Sequence, residues 1–405
     1  MEKKKVILIT RRYPYGTAEA FLESEIQYLS REFDEIVVFP SEKFGEIRKV
    51  PENVLVNTTF SSAFKNMKER FFVSFYSKSL WKSIWKYRKE IKKLSDIILV
   101  YRYMSGFLLT KKYFSLMPEL LNGNIVYTYW FNALTHALVS LKDKDDFTFS
   151  IVSRVHRYDL YEGLDSTQKF WPYRKEVLLN IDRLYSISDD GKFYLEKKYQ
   201  VLNKIVVSKL GVFDNFRIST GSVDNCVSII SVSRIEPLKR VDLIFRLIYV
   251  FSLEKPDMNV RWTHFGDGSE MTFLKSNIDS MDKLQNLEIN LMGSVKNEEV
   301  YRYYTENKID VFINLSSSEG IPVSIMEAQS YGIPVLATNV GGSGEIVTHE
   351  VGCLVDVDDE INKLKEKLTV LIDRKLDREE IKKVWASRYD ADKNYKDFVL
   401  SLKTL

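Results

Sequence analysis

The sequence predicts an α/β protein built from doubly wound parallel sheets. Three observations predict it. Short runs rich in Val and Ile recur along the chain without polar alternation, as strands buried on both faces require. Longer amphipathic stretches separate them, as crossover helices do. The pattern then restarts after a polar stretch, Phe213–Asn225, which reads as a linker. The chain therefore divides near 205–225 into two open α/β domains of about equal size. They are expected to face one another across a cleft, with ligands beyond the carboxyl ends of the strands.

The elements follow in order. Val6–Ile9 reads as the first buried strand. Its apolar run is too short for a signal-peptide core of about 7–15 residues. A helix follows, with Ala18, Phe21, Leu22, Ile26 and Leu29 at spacings of three and four. Further strands are predicted at Ile36–Phe39, Ile125–Trp130, Phe147–Val155, Leu184–Ser188 and Ile205–Leu210. In the second half they fall at Val227–Val232, Val260–Phe265, Ile289–Met292, Val311–Leu315 and Pro334–Thr338. Pro322 suits the first turn of a helix that runs to about Tyr331 and stops at Gly332.

Composition excludes several classes. At 405 residues, 45% hydrophobic and 28% charged, the chain is globular, neither collagen-like nor disordered. Two cysteines, Cys226 and Cys353, are too few for a disulfide framework. No segment reaches the roughly 18 apolar residues of a spanning helix. The expectation is a cytoplasmic protein, at most peripheral on the inner face of the membrane. Four histidines make a His-rich metal site implausible, and Asp356-Val-Asp358 reads as acidic surface, so no metal or other cofactor is expected. No phosphate-binding loop of the Gly-x-x-x-x-Gly-Lys-Ser/Thr type occurs.

Four constellations could carry chemistry. In Asn314–Thr338, Glu319 lies in the loop at a helix N-terminus and Glu327 on the helix. Free N–H groups and a glutamate there make a polar site, although carboxylates also cap helices without any chemistry. Arg234 and Lys239 follow a buried strand and could clamp a diphosphate, or be a solvated pair. Gly266-Asp-Gly268 lacks the third glycine of a dinucleotide site, and a tight turn explains it. His156 and Asp159 leave another strand and could face the cleft, although a lone histidine is more often structural.

Together these residues resemble the family-4 retaining glycosyltransferases (glycosyl transferases group 1), which have the GT-B fold. The family's pair of glutamates eight residues apart falls on Glu319 and Glu327, within Glu-Gly-Ile-Pro, Met-Glu-Ala, Tyr-Gly-Ile-Pro-Val and Thr-Asn-Val-Gly-Gly. Arg234 and Lys239 match its phosphate-binding pair, and Gly266-Asp-Gly268, Gly293 and Gly352-Cys-Leu-Val355 fall in family order. The resemblance is strong over Leu210–Val355. In the first half it is looser: Tyr13-Pro-Tyr-Gly16-Thr17, Glu19 and His156-x-x-Asp159 look like acceptor-side pieces. Three departures stand out. The first loop has one glycine, Gly16; Ser233 precedes the arginine; and Arg240 stands where a glycine often follows the lysine.

The resemblance implies domains at 1–210 (acceptor side), 211–384 (nucleotide-sugar side) and 385–405, a C-terminal helix packing back on the first. It implies metal-independent transfer of a sugar from a UDP- or GDP-sugar donor to a glycan or lipid-linked acceptor, with retention. The context would be bacterial surface polysaccharide, capsule or lipopolysaccharide assembly. Arg234, Lys239, Glu319 and His156 would be catalytic. Gly320, Ile321, Glu327, Gly266 and Gly16 would join Arg234, Lys239 and Glu319 in holding the donor. Two alternatives remain: a nucleotide-sugar 2-epimerase of the same architecture, and a non-catalytic subunit of a glycosyltransferase complex.

Charge adds one more feature. Between Ser62 and Lys112 there are thirteen Lys or Arg against three Asp or Glu, in a chain of net charge +3. Leu80–Ile98 reads as one two-faced helix, with Leu80, Ile84, Ile91, Leu94 and Ile98 on one side and Lys82, Lys86, Lys89 and Lys93 on the other. Phe64, Met67, Phe71 and Phe75 form a second apolar stripe. The stretch reads as helices covering the first sheet, as an anionic-membrane surface, or both. Nucleic acid is not expected as a partner.

Overall fold

The computed structural model describes residues 5–16, 19–65, 72, 74–142, 146–164, 168–223 and 225–405. It is α/β, with two parallel sheets in two compact units. One unit runs to Ser208 and takes in Tyr395–Leu405; the other is Lys209–Asn394. Thr17 and Ala18 of the first loop, and Met67 and Phe71 of the basic stretch, lie outside the described residues.

The first sheet has seven strands: β1 (Val6–Thr10), β2 (Ile36–Pro40), β3 (Val54–Val56), β4 (Ile125–Thr128), β5 (Ser150–Val155), β6 (Arg183–Ser186) and β7 (Ile205–Val207). Their order is β3-β2-β1-β4-β5-β6-β7, and every pairing is parallel. Strand order reverses between β1 and β4, where Ile9 lies beside Thr128. Such a reversal opens a crevice at the carboxyl ends.

The second sheet repeats the plan. Its strands are β8 (Cys226–Val232), β9 (Asn259–Phe265), β10 (Leu287–Leu291), β11 (Val311–Asn314), β12 (Val335–Thr338) and β13 (Gly352–Val355), in the order β10-β9-β8-β11-β12-β13. Here the reversal falls between β8 and β11. The helix Val241–Glu254 covers one face with Ile244, Phe245, Leu247, Ile248 and Phe251, all buried. Phe245 stacks on the fully buried Trp262 of β9, their centroids 6.3 Å apart. Each such side chain contributes about 1.5–3 kcal/mol on burial.

Two expectations need correction. Residues 385–405 are not one helix. A first helix, Arg378–Tyr389, buries Trp385 and Tyr389 in the second unit, and a second, Ala391–Leu402, carries Tyr395 and Phe398 into the first. The break falls at Asp390, whose Oδ1 accepts from Asp392 N at 2.8 Å, while Val212 bonds to both Tyr389 and Ala391. Nor is Leu80–Ile98 one helix. It ends at Lys86, and a new helix, Leu94–Phe114, begins after a turn. The Asp96 carboxylate starts it by accepting from the N–H groups of Lys92 and Lys93 at 2.7 and 3.2 Å. The break puts Leu80 in the core and leaves Leu94 and Ile98 exposed.

Candidate functional site

The site in the second unit sits at the β8/β11 reversal. After β8 the chain makes a short 3-10 turn, Pro237–Lys239, which Pro237 starts at no cost because its missing N–H would be unpaired there. Lys239 Nζ reaches across to donate to Glu319 Oε1 at 2.6 Å. Asn314, which ends β11, donates to the same oxygen at 3.3 Å while its own Oδ1 accepts from Ser316 N. The Lys239 and Glu319 side chains are 19% and 8% exposed. Partial drying makes this pair stronger than a surface ion pair, and removing either partner strands the other.

Arg240 explains one departure from the family pattern. Its φ is +48°, in the left-handed region that favours glycine. The chain accepts the strain because the guanidinium ties two loops, donating to Leu315 O at 2.6 Å and Val357 O at 2.7 Å.

Two glycines let loops meet. Gly266 has φ +140°, and a Cβ there would stand 1.8 Å from Ser233 O. A turn is thus only half of its role; it also lets the loops after β8 and β9 touch. Gly341 has φ +50°, and a Cβ would stand 2.0 Å from Glu319 O. Gly342 N donates to Gly320 O at 2.8 Å, so the Thr-Asn-Val-Gly-Gly loop fixes the backbone of Glu319 and Gly320.

Pro322 precedes the helix Val323–Ser330, with Gly320 and the largely buried Ile321 just ahead of it. Glu327, on that helix, is buried and accepts from Tyr301 OH at 2.7 Å. Burial pushes its carboxyl up to about 7 against the opposing pull of that hydrogen bond. Arg234 differs from its neighbours: its side chain is 77% exposed, and it stands 3.6 Å from Glu236. The structure thus joins Lys239 to Glu319 and leaves Arg234 open to solvent.

The remaining expected site residues belong to the first unit. His156 ends β5, and its ring lies 4.6 Å from that of Tyr129 and 4.9 Å from that of Trp130. Burial, reinforced by Arg154, drives the imidazole down to about 3, so it is neutral near pH 7. Its Nε2 is buried without a hydrogen-bond partner. Asp159 holds the turn by accepting from His156 N at 2.7 Å and Phe131 N at 2.6 Å. Gly16 donates its N–H to Glu46 O at 2.9 Å in the loop after β1. Glu19 closes that loop. Its carboxylate accepts from the N–H groups of Arg11, Arg12 and Tyr13 and from Trp130 Nε1 at 2.6–2.8 Å. Tyr301 and Trp130 carry no motif signal, because each acts on a partner distant in sequence, whereas Asn314 heads the Asn314–Thr338 segment five residues before Glu319. Among the described residues no group of three His, Cys, Asp or Glu is placed to hold a metal, and the Asp356 side chain is 76% exposed.

Residues 212–386, which contain the whole Lys239–Glu319 cluster, match the family model of glycosyl transferases group 1. Residues 212–386 form a group 1 glycosyltransferase domain. Relatives agree with it. The chain is 27% identical over 212 residues to an uncharacterized 41.2 kDa protein in the cps region of Klebsiella pneumoniae, covering 48% of this chain and 55% of that protein. It is 26% identical over 140 residues to the O-antigen biosynthesis glycosyltransferase WbnH of Escherichia coli, covering 35% and 37%. The chain thus spans about half or less of the length of these curated relatives. Among solved structures, the apo form of the lipopolysaccharide outer core galactosyltransferase WaaB superposes with TM-score 0.69 at 16% identity, over 98% of this chain and 99% of that one. Anabaena HepE, in complex with UDP, gives 0.63 at 15% identity over 99% and 100%. The fold that the group 1 domain and its partner unit share with these chains is GT-B.

Proposed function

We propose that the chain is a retaining, family-4 glycosyltransferase that moves a sugar from a UDP- or GDP-sugar to a hydroxyl of a glycan or lipid-linked acceptor in bacterial surface polysaccharide or lipopolysaccharide assembly. The observation that carries this is the Lys239–Glu319 pair, largely buried at the switch point of the group 1 domain. The O-antigen and lipopolysaccharide enzymes among its relatives and neighbours support the setting.

In this reading the bond from the anomeric carbon to the diphosphate oxygen breaks while the acceptor oxygen attacks from the same face. The acceptor proton passes to the departing phosphate oxygen. Lys239 and the exposed Arg234 meet the charge that develops there, as cations aimed at a leaving group do. Glu319 and the amides of Gly320 and Ile321 bind donor-sugar hydroxyls, and Glu327 accepts from the ribose. His156, held neutral, offers a hydrogen bond to the donor sugar. Side chains do the work of a metal, so turnover should survive EDTA; loss restored by a divalent ion would overturn that part.

The test is a panel of nucleotide sugars with and without glycan and lipid-linked acceptors. The expected outcome is release of nucleoside diphosphate from one donor, accelerated by acceptor. Conversion of the donor to its sugar epimer without acceptor would overturn the reading in favour of an epimerase.

A further inference from the structure

The loops after β1 and β4 meet at one carboxylate. Glu19 Oε1 accepts from Arg11 N at 2.8 Å and from Trp130 Nε1 at 2.6 Å, and Oε2 accepts from Arg12 N and Tyr13 N, both at 2.7 Å. Each oxygen thus takes two N–H groups, an arrangement that suits an ionised carboxylate, which only accepts.

Capping does not explain it. The helix Phe21–Glu32 begins two residues later, yet its N-cap is Ala20, with no side-chain cap, and the Glu19 carboxylate turns back to the preceding loop. Its φ is +55°, in the left-handed region that is costly for a residue with a Cβ. Such strain persists only where the surroundings over-determine it, and it clusters at functional sites.

The chain of contacts ends at His156. The imidazole lies against two rings, Tyr129 and Trp130, with centroids 4.6 and 4.9 Å away. Tyr129 is locked in the core, and its N–H donates to Ile9 O at 2.9 Å. Trp130 is only half-buried. Its main chain is fixed, since its carbonyl accepts from Thr135 Oγ1 at 2.9 Å, but its indole is anchored through Nε1 to Glu19. A half-buried indole without that bond is free to tilt, and the imidazole beside it would follow.

We propose that Glu19 is a positioning residue for the transfer reaction: its carboxylate sets the tilt of the Trp130 indole and, through that ring, the orientation of the His156 imidazole. The part His156 plays rests on the glycosyltransferase reading; the tie to Glu19 rests on the geometry.

The test reads the imidazole directly. Protein labelled at the histidine ring carbons should show four NMR signals, for His136, His156, His264 and His349, and His156→Gln identifies the one that matters. Glu19→Gln keeps the size of the side chain but sets an NH2 group against N–H donors. It should move the His156 signal and the Trp130 indole N–H, and leave the other three histidines in place. Glu42, which pairs with Arg11 and Arg12 of the same loop at 3.1 and 2.8 Å but not with Trp130, is the control: Glu42→Gln should leave the His156 signal unmoved. Turnover should fall roughly tenfold in Glu19→Gln, but less than about twofold when Trp130→Phe is already present, because residues that act as a unit are not additive. An unmoved His156 signal in Glu19→Gln overturns the proposal. So does an equal shift in Glu42→Gln, or a cost that adds fully to that of Trp130→Phe. If Glu19→Gln does not fold, Trp130→Phe cuts the same bond from the indole side and keeps a ring there; normal turnover in that variant overturns the proposal. A protein that transfers no sugar, while its His156 signal still follows Glu19, sinks the reaction and keeps the tie. A silent His156 signal in an active enzyme sinks this inference alone.

Discussion

Lys239 has one short, well-dried contact, to Glu319. Lys239→Ala should therefore lower transfer by roughly 10²–10³ if the ammonium meets the leaving group. Its thermal unfolding should stay cooperative, and near-normal turnover would remove the diphosphate role. Glu327 allows a test by pH. Burial raises its carboxyl to about 7 from an ordinary value of about 4.5, so between those values the folded state holds a proton that the unfolded state has lost. Stability from this group is therefore fully present below about 4.5 and declines as pH rises through 7. Melting curves for wild type and Glu327→Gln should diverge over that window, with the wild type falling relative to the variant. Donor binding should move the other way, because the ionised carboxylate accepts more hydrogen bonds from a ribose; a pH-independent donor affinity in the wild type would remove that role. Glu319, Glu327 and Lys239 were legible because charges stand beside strand and helix boundaries in a family-like order. Tyr301 was not, since only folding brings it to Glu327 from 26 residues away. Arg240 stood out as a departure, and its reason, two carbonyls 75 and 117 residues away, exists only in the fold.

At the scale of elements, the buried strands were the most legible, because runs such as Ile36–Phe39 and Val227–Val232 have no polar face to confuse the pattern. β3 has three residues, Val54–Val56, too few to register as a run. β13, Gly352–Val355, was read only as a motif leading into an acidic loop, yet it pairs with β12 from Gly352 to Val355. The basic stretch misled for a different reason: spacing alone continues through a turn. In the structure Lys86 is committed to Glu176 and to the Tyr173 ring, whereas Trp81 and Trp85 are 52% and 68% exposed near Lys82 and Lys89. We propose that this face attaches to anionic membrane. Vesicles containing anionic lipid should bind the protein at low salt and release it at high salt. Lys82→Glu/Lys89→Glu should weaken binding, each lysine contributing roughly 1 kcal/mol near the surface. Indifference of the wild type to such vesicles at low salt would return the stretch to a solvated face.

At the scale of the molecule, the first unit is discontinuous. Phe398 fills a place in it under the buried Arg154, whose guanidinium lies 4.3 Å from the ring centre, and beside Tyr127 and Tyr185. Arg154 is itself paired with buried Glu25 at 2.9 Å. Phe398→Ala should cost about 3–5 kcal/mol in urea unfolding, the usual range for emptying such a position; a loss under 1 kcal/mol would show that the place is not tightly packed. The aromatic spacing of the tail was legible, but its division between two units was not, because Asp390 reads as one more polar helical residue. The same discontinuity sets an order of events at the ribosome. Tyr395–Leu405 can be delivered only after the whole of 209–394 has been synthesised, roughly 10–40 s later at about 5–20 residues per second. Throughout that interval the nascent first unit carries an ion pair, Glu25 with Arg154, without its aromatic cover. A chain released before those residues are made would display an unfinished sheet face to chaperones and proteases.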